Sequence, residues 1–421
     1  QQNPRANFPS IGGAWAISEE RFMKNTAKWL DYAKIRLSYG ENGNRSIGRY
    51  AALSNLGSST YVFVTSGGAA YNTAQVFSNN LSNPELKWER NSSVDLGLDF
   101  SLFKGKVSGS VEYYTRSTKD LLVNRSLPSV TGFTSILANL GQVDNKGFEL
   151  SLSTQNMKTA NFEWTSTFAY WMNRNKIVHL YGATPDFDAT GKQIGVSEKN
   201  DLSNGWFIGQ DISTIYDYKV VGVWGTAEAA QAKAYGYKPG DMKLEDLNGD
   251  GQYTIADKQF LGTRTPKFSI NLRNEFKYKN WDFSITLYGK FGGQWVLNEA
   301  KNVDKFYDRS NFYVRPFWTP SNQIQDYAAI NSNAGGPVSW NVFRSSSFLR
   351  VSNVSLAYSV PASMTKRWKI QGLKLYFNVV NAYVFSSWKF FDPEYKGTDP
   401  NNPRNDAPVP LTLNFGLNLT L

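Results

Sequence analysis

Residues 411–421 read LTLNFGLNLTL. Leu411, Leu413, Phe415, Leu417, Leu419 and Leu421 take every second position, and Thr412, Asn414, Gly416, Asn418 and Thr420 fill those between. Side chains alternate faces along a strand, so this segment has one apolar and one polar face. The pattern recurs upstream in pairs. Val94, Leu96, Leu98, Phe100 and Leu102 lead through a turn at Lys104 and Gly105 into Val107, Gly109, Val111 and Tyr113. Phe148, Leu150 and Leu152 lead into Phe162, Trp164, Phe168, Tyr170 and Met172. Phe268, Ile270, Leu272 and Phe276 lead into Trp281, Phe283, Ile285, Leu287 and Phe291, and Val354, Leu356 and Tyr358 into Leu373, Leu375, Phe377 and Val379. A change of phase near Val354 predicts a bulge. Many strands of about ten residues point to an all-β, antiparallel transmembrane β-barrel.

Composition fits that architecture. The chain holds 27 Phe, 23 Tyr and 13 Trp, and barrels use aromatics as girdles at both membrane interfaces. No run approaches the roughly 18 apolar residues of a transmembrane helix. Cysteine is absent, which removes disulfides and thiolate chemistry. The net charge of +10 is scattered, as in Lys34/Arg36 and Lys366/Arg367/Lys369, with no basic stripe or motif for nucleic acid. The first residues, QQNP, show no signal-peptide pattern.

Connections fall into two classes. Those at 104–105, 157–161, 277–280 and 361–372 are short; those at about 41–86, 124–145, 178–204, 225–265, 293–346 and 386–409 are long. Bacterial barrels have short periplasmic turns and long extracellular loops, so the classes assign the two sides of the membrane. One connection reads as a helix at the periplasmic rim: Ser18 as N-cap, Glu19 and Glu20 in the first turn, Phe22, Met23, Trp29 and Leu30 as an apolar stripe. Counting residues 11–17, 32–40, two strands around Trp206 and 216–224, and the pairs above gives about thirteen strands. The first and last then run the same way, whereas a complete single-chain bacterial barrel has an even number. The expectation is therefore part of a larger barrel, with an odd number of strands before residue 1.

Five stretches carry a resemblance. They are residues 80–99 (NLSNPELKWERNSSVDLGLD), 139–150 (NLGQVDNKGFEL), 240–251 (GDMKLEDLNGDG, followed by Leu261, Gly262 and Pro266), 347–361 (SFLRVSNVSLAYSVP) and 376–399 (YFNVVNAYVFSSWKFFDPEYKGTD). In order and spacing they resemble the carboxy-terminal half of SusC/RagA-type TonB-dependent outer-membrane transporters of Bacteroidetes. The resemblance covers nearly the whole chain. It implies a 22-stranded barrel plugged by an amino-terminal domain, of which 1–421 is the carboxy-terminal part; the plug and first strands precede it. It implies import of glycans or peptides with a SusD-like surface lipoprotein and TonB-derived energy. Leu421 departs from the aromatic residue with which such barrels commonly end.

Three groups of residues stand out as sites. Residues 246–257 (DLNGDGQYTIAD) fit the twelve-residue calcium loop. The ligands for Ca²⁺ would be Asp246, Asn248, Asp250, the Gln252 carbonyl and Asp257, the last shorter than the usual Glu. The loop 305–320 presents Phe306, Tyr307, Arg309, Phe312, Tyr313, Arg315, Phe317 and Trp318, and the last loop presents Trp388, Phe390, Phe391 and Tyr395. Aromatic faces beside hydrogen-bonding groups suit sugar rings or peptide side chains, or they pack loops together. Enzymatic readings find little support. His179 is the single histidine, and Asp95 and Asp99, on one strand face, read as ordinary lumen acids. The competing functions are a passive porin and a secreted β-sandwich. Like charges gathered in the 246–257 loop repel unless a cation offsets them. Asp246→Ala with Asp250→Ala, or chelation of the wild type, is expected to make residues 240–258 protease-sensitive while the barrel stays folded; unchanged cleavage would assign a purely structural turn.

Overall fold

The computed structural model describes residues 5–44, 52–127, 129–302, 315–330, 332, 336–388, 392–394 and 409–420. Eleven strands form one antiparallel sheet in chain order. They are β1 (Ser10–Trp15), β2 (Leu30–Asn44), β3 (Glu89–Leu102), β4 (Val107–Lys119), β5 (Gln142–Lys158), β6 (Phe162–His179), β7 (Phe268–Tyr278), β8 (Trp281–Phe291), β9 (Phe348–Ser359), β10 (Gly372–Ser386) and β11 (Thr412–Thr420). Each pairs with its chain neighbours, and β1 and β11 are the two edges.

The sheet has eleven strands where the alternation predicts thirteen. The segments near Trp206 and 216–224 do not enter it. Val220–Val223 pairs with Met242–Leu244, and Thr214–Tyr218 with Lys258–Thr263. At four and five residues these strands are too short to span hydrocarbon, which takes roughly nine. They belong to one long extracellular connection. Eleven is also odd, so β1 and β11 still run the same way.

The segregation of connections by length holds: the shorter ones join β1–β2, β3–β4, β5–β6, β7–β8 and β9–β10, and the longer ones β2–β3, β4–β5, β6–β7, β8–β9 and β10–β11. Between β1 and β2 the chain makes two 3₁₀ turns, Ile17–Glu19 and Arg21–Thr26, instead of an α-helix. Ser18 caps neither; its hydroxyl faces the Ala33 carbonyl, because the following strand already competes for it. The expected bulge is present. Val351 and Asn353 face Leu287 and Thr286, so Ser352 is the extra residue, and its hydroxyl donates to the Thr286 carbonyl at 3.1 Å.

Register sorts the side chains onto two faces. One carries ion pairs: Asp99 binds Lys34 at 3.1 Å and Arg36 at 2.9 Å, and Arg36 also binds Glu112 at 2.7 Å. The other is apolar and uncovered by protein: Leu413, Phe415 and Leu417 are 62%, 76% and 57% exposed. Water would not tolerate such a face over eleven strands, and lipid does. Aromatic rows bound it. At the extracellular end Phe148, Tyr170, Phe268 and Phe291 follow one another with centroids 6.1, 5.5 and 5.0 Å apart. At the periplasmic end Trp164 stacks on Phe276 at 5.6 Å, with Phe283 beside it at 5.9 Å. From Phe268 to Phe276 along a tilted strand is roughly 20 Å of height, close to the apolar band of a barrel.

One polar group interrupts that band. Thr154 donates to Asn156 (2.9 Å), Asn156 to Ser166 (2.6 Å), and Ser166 and Trp164 to Asn274 (2.6 and 3.0 Å). The cluster ties β5, β6 and β7 together at the lipid face. Ile285, opposite Asn274 on one side and Val354 on the other, lies in mid-strand on the same face. Ile285→Arg is expected to cost about 2–4 kcal/mol of folding free energy in liposomes. An unchanged denaturant midpoint would reject the face assignment.

Candidate functional site

Above the sheet, the long connections fold onto one another. Loop segments that leave the membrane lose lipid as a partner for their apolar groups and need a core of their own. Trp224, Trp340, Met242, Leu244 and Val342, all 2% exposed or less, supply it. Tyr218, Tyr237, Tyr253, Leu297, Trp318 and Trp388 join the same cluster. Gly240, at φ +90°, lets the chain turn under the Trp318 ring, and its carbonyl accepts from Ala329 N at 2.7 Å.

Trp318 and Trp388, read from sequence either as ligand-facing or as loop packing, are 5% and 7% exposed and join this core, and Trp388 also lines the cavity beside it. Arg315 is half-buried and Phe317 exposed. Phe306, Tyr307, Arg309, Phe312, Tyr313, Phe390, Phe391 and Tyr395 lie outside the described residues. Beside the core is a cavity of about 360 Å³ lined by Leu297, Pro316, Ile324, Asp326, Tyr327, Arg344, Ser387 and Trp388. It combines an aromatic wall with charges of both signs, which suits a polar ligand with one apolar face. Nearby, Lys301 donates to the Trp340 carbonyl and lies 4.3 Å from that ring's centroid. Burial pushes its ammonium down to about 8.

The 246–257 loop is a tight turn around Asp246. Its carboxylate accepts from Gly249 N (2.7 Å), Gly251 N (2.9 Å) and the Tyr235 hydroxyl (2.7 Å). The last bond pushes the Tyr235 hydroxyl up to about 12 and holds Asp246 below the usual carboxylate range. Asp250 accepts from Asn248 Nδ2 at 2.9 Å and from Gln252 N at 2.8 Å. Asp257 is fully buried and turned elsewhere, accepting from Leu247 N and Thr254 N, both at 2.8 Å. It closes a capping box with Thr254, whose hydroxyl accepts from Ala256 N at 3.2 Å. The Thr-x-x-Asp spacing was readable in the sequence as that cap. No group of three or more His, Cys, Asp or Glu assembles a metal-holding cluster among the described residues.

The stretches that resemble a known family meet in space. Asn139 accepts from Lys87 N at 2.7 Å and donates to the Lys87 carbonyl at 2.9 Å, locking residues 83–89 to 139–150. Tyr114 crosses over Gly147, where any Cβ would run into its ring. Arg350 binds Asp392 at 2.6 Å and Glu394 at 3.6 Å, and Lys290 binds Glu394 at 3.3 Å. The Arg350 side chain is 3% exposed, so this pair fastens the last extracellular connection to β9 away from water. Sequence reading missed it because the partners are 42 residues apart and no local pattern joins them. His179 Nδ1 and Glu198 lie 2.9 Å apart, and the same carboxylate accepts from Gly182 N, which makes that pair a loop tie.

Comparison with known proteins agrees with this geometry. Residues 1–382 match the family model for the TonB dependent receptor-like β-barrel. A TonB-dependent receptor of Formosa agariphila is 32% identical over 98% of this chain, which spans 42% of that protein. TonB-dependent receptor SusC of Bacteroides thetaiotaomicron is 28% identical over the whole chain and 40% of its own length. The RagAB peptide importer in its open-open state superposes with a TM-score of 0.69 at 21% identity, over 92% of this chain and 40% of that one. The chain thus spans about two fifths of these relatives. Removing Arg350 leaves the nearly buried Asp392 carboxylate without its cation, while Glu394 keeps Lys290, so Arg350→Met is expected to loosen the last connection by about 3–5 kcal/mol. New protease cleavage between residues 387 and 411, with the sheet intact, is the readout; wild-type resistance would contradict the clamp.

Proposed function

The chain belongs to the TonB-dependent receptor-like β-barrel family, in its SusC/RagA branch, and from that premise we propose that it forms the carboxy-terminal wall of an outer-membrane nutrient transporter. The observation that carries the reading is the two-faced sheet. An apolar outer face bounded by aromatic rows encloses an inner face of ion pairs, and a folded layer covers its extracellular end. Unpaired edge strands in hydrocarbon leave backbone N–H and C=O groups without partners. The remaining strands of a 22-stranded barrel, supplied by the amino-terminal part, would pair with β1 and β11 and enclose a plug.

In this proposal the cargo is a glycan or a peptide, a SusD-like lipoprotein covers the extracellular layer, and TonB acts on the plug. The cavity beside Trp388 and Arg344 supports a cargo with both ring faces and hydrogen-bonding groups. A Ca²⁺ ion held by Asp246, Asn248, Asp250 and the Gln252 carbonyl is a separate proposal. It is supported by the ligand spacing and by Gly249 and Gly251, both at positive φ, which bend the loop around Asp246. Asp257 then shapes the loop through its cap.

Deleting the full-length gene should abolish growth on at least one glycan or peptide in a panel. Complementation should restore it in a TonB-competent strain and fail in a TonB-deficient one. Growth restored without TonB, together with steady conductance in a planar bilayer, would identify a passive pore instead.

A further inference from the structure

On the lipid-facing side, one rung beyond the extracellular aromatic row, Thr115 stands opposite Lys146 and Lys146 opposite Arg174. The rung before it is Tyr113, Phe148 and Met172, part of the apolar face. The two cations are therefore about 7 Å further along their strands than the girdle, at the height of lipid headgroups. Like charges directly opposite each other on an antiparallel pair destabilise it. Neither forms an ion pair with an acid among the described residues; Arg174 Nη1 donates to the neighbouring Asn173 carbonyl at 2.9 Å. Asp144, two residues along, accepts from Ser117 at 2.7 Å and Gln142 at 2.9 Å. Beside Lys146 lies a groove of about 260 Å³ between it and Tyr39, lined by the small Ser92, Thr115 and Ser117 and by Asp144, whose carboxylate is engaged by Ser117 and Gln142.

We propose that this rim binds the phosphate of a phosphorylated glycolipid of the outer leaflet, Lys146 and Arg174 holding the phosphate and the hydroxyl-lined groove its sugar. An anion between the two cations removes their repulsion. A lipid is the occupant, and not free phosphate, because the groove opens directly onto Val94 and the apolar face below it, along which acyl chains would run. The inference rests on the membrane reading of this face and not on the cargo, so a failed uptake assay leaves it standing.

The test uses the purified full-length transporter, its Lys146→Gln/Arg174→Gln variant and a Lys277→Gln control. Retention of monophosphorylated lipid A and of the same lipid after dephosphorylation is read by native mass spectrometry. Dephosphorylation, or the double variant, is expected to lower occupancy roughly tenfold. The control, and inorganic phosphate at the lipid's concentration, should leave it unchanged. Equal retention of the dephosphorylated lipid, equal retention by a heat-modifiable double variant, or displacement by equimolar phosphate would each overturn the proposal. If the double variant loses heat-modifiable migration, the comparison of the two lipids on wild type decides.

Discussion

Hydrocarbon offers no hydrogen bonds, and the rest of this structure follows from that. Each backbone N–H and C=O in the membrane must find another strand, so the chain crosses as long neighbouring strands joined in sequence order. The same constraint keeps irregular backbone out of the lipid zone. The two 3₁₀ turns between β1 and β2 lie beyond one end of the strands, and the small ribbons and the calcium-like loop beyond the other. Backbone irregularity does enter the wall as local bulges, and at the one at Ser352 the side-chain hydroxyl bonds the neighbouring strand.

Outside the membrane the rules change, and the chain changes with them. The long connections between β6 and β7 and between β8 and β9 pack tryptophans and tyrosines into a core as dry as that of a soluble domain. Ion pairs follow the same division. Those on the inner face, such as Arg36 with Asp99 and Glu112, are partly exposed and hold charges in a polar lumen. Arg350 with Asp392 is withdrawn from water and acts as a fastener, since breaking it strands a charge.

The wall was legible because its signal is local and repeated. Period-two alternation needs only neighbouring residues, and it located nine of the eleven strands by their apolar sets alone, β1 and β2 following from residues 11–17 and 32–40. The same signal overcounted at 216–224, where alternation serves a short ribbon over a loop core and length decides. It was silent on tertiary pairs. Trp318 and Trp388 look alike to sequence whether they meet a ligand or each other's neighbourhood, and the structure buries both. Asp257 shows the limit in one residue: position twelve of an ion loop and the last residue of a capping box have the same letter, and only geometry turned its carboxylate toward Leu247 and Thr254.

The hydrogen-bonded group of Thr154, Asn156, Ser166 and Asn274 bears on how the barrel is assembled. Apolar side chains are interchangeable partners, so a wall made only of leucine and phenylalanine would tolerate a strand sliding by two residues. A two-residue slip of β7 would carry Asn274 away from Ser166 and present an unbonded amide to lipid, at a cost set by desolvation. The polar group therefore works as a proofreading mark: β5, β6 and β7 fit the membrane comfortably in one alignment, and misaligned intermediates are the ones left free to unzip and try again.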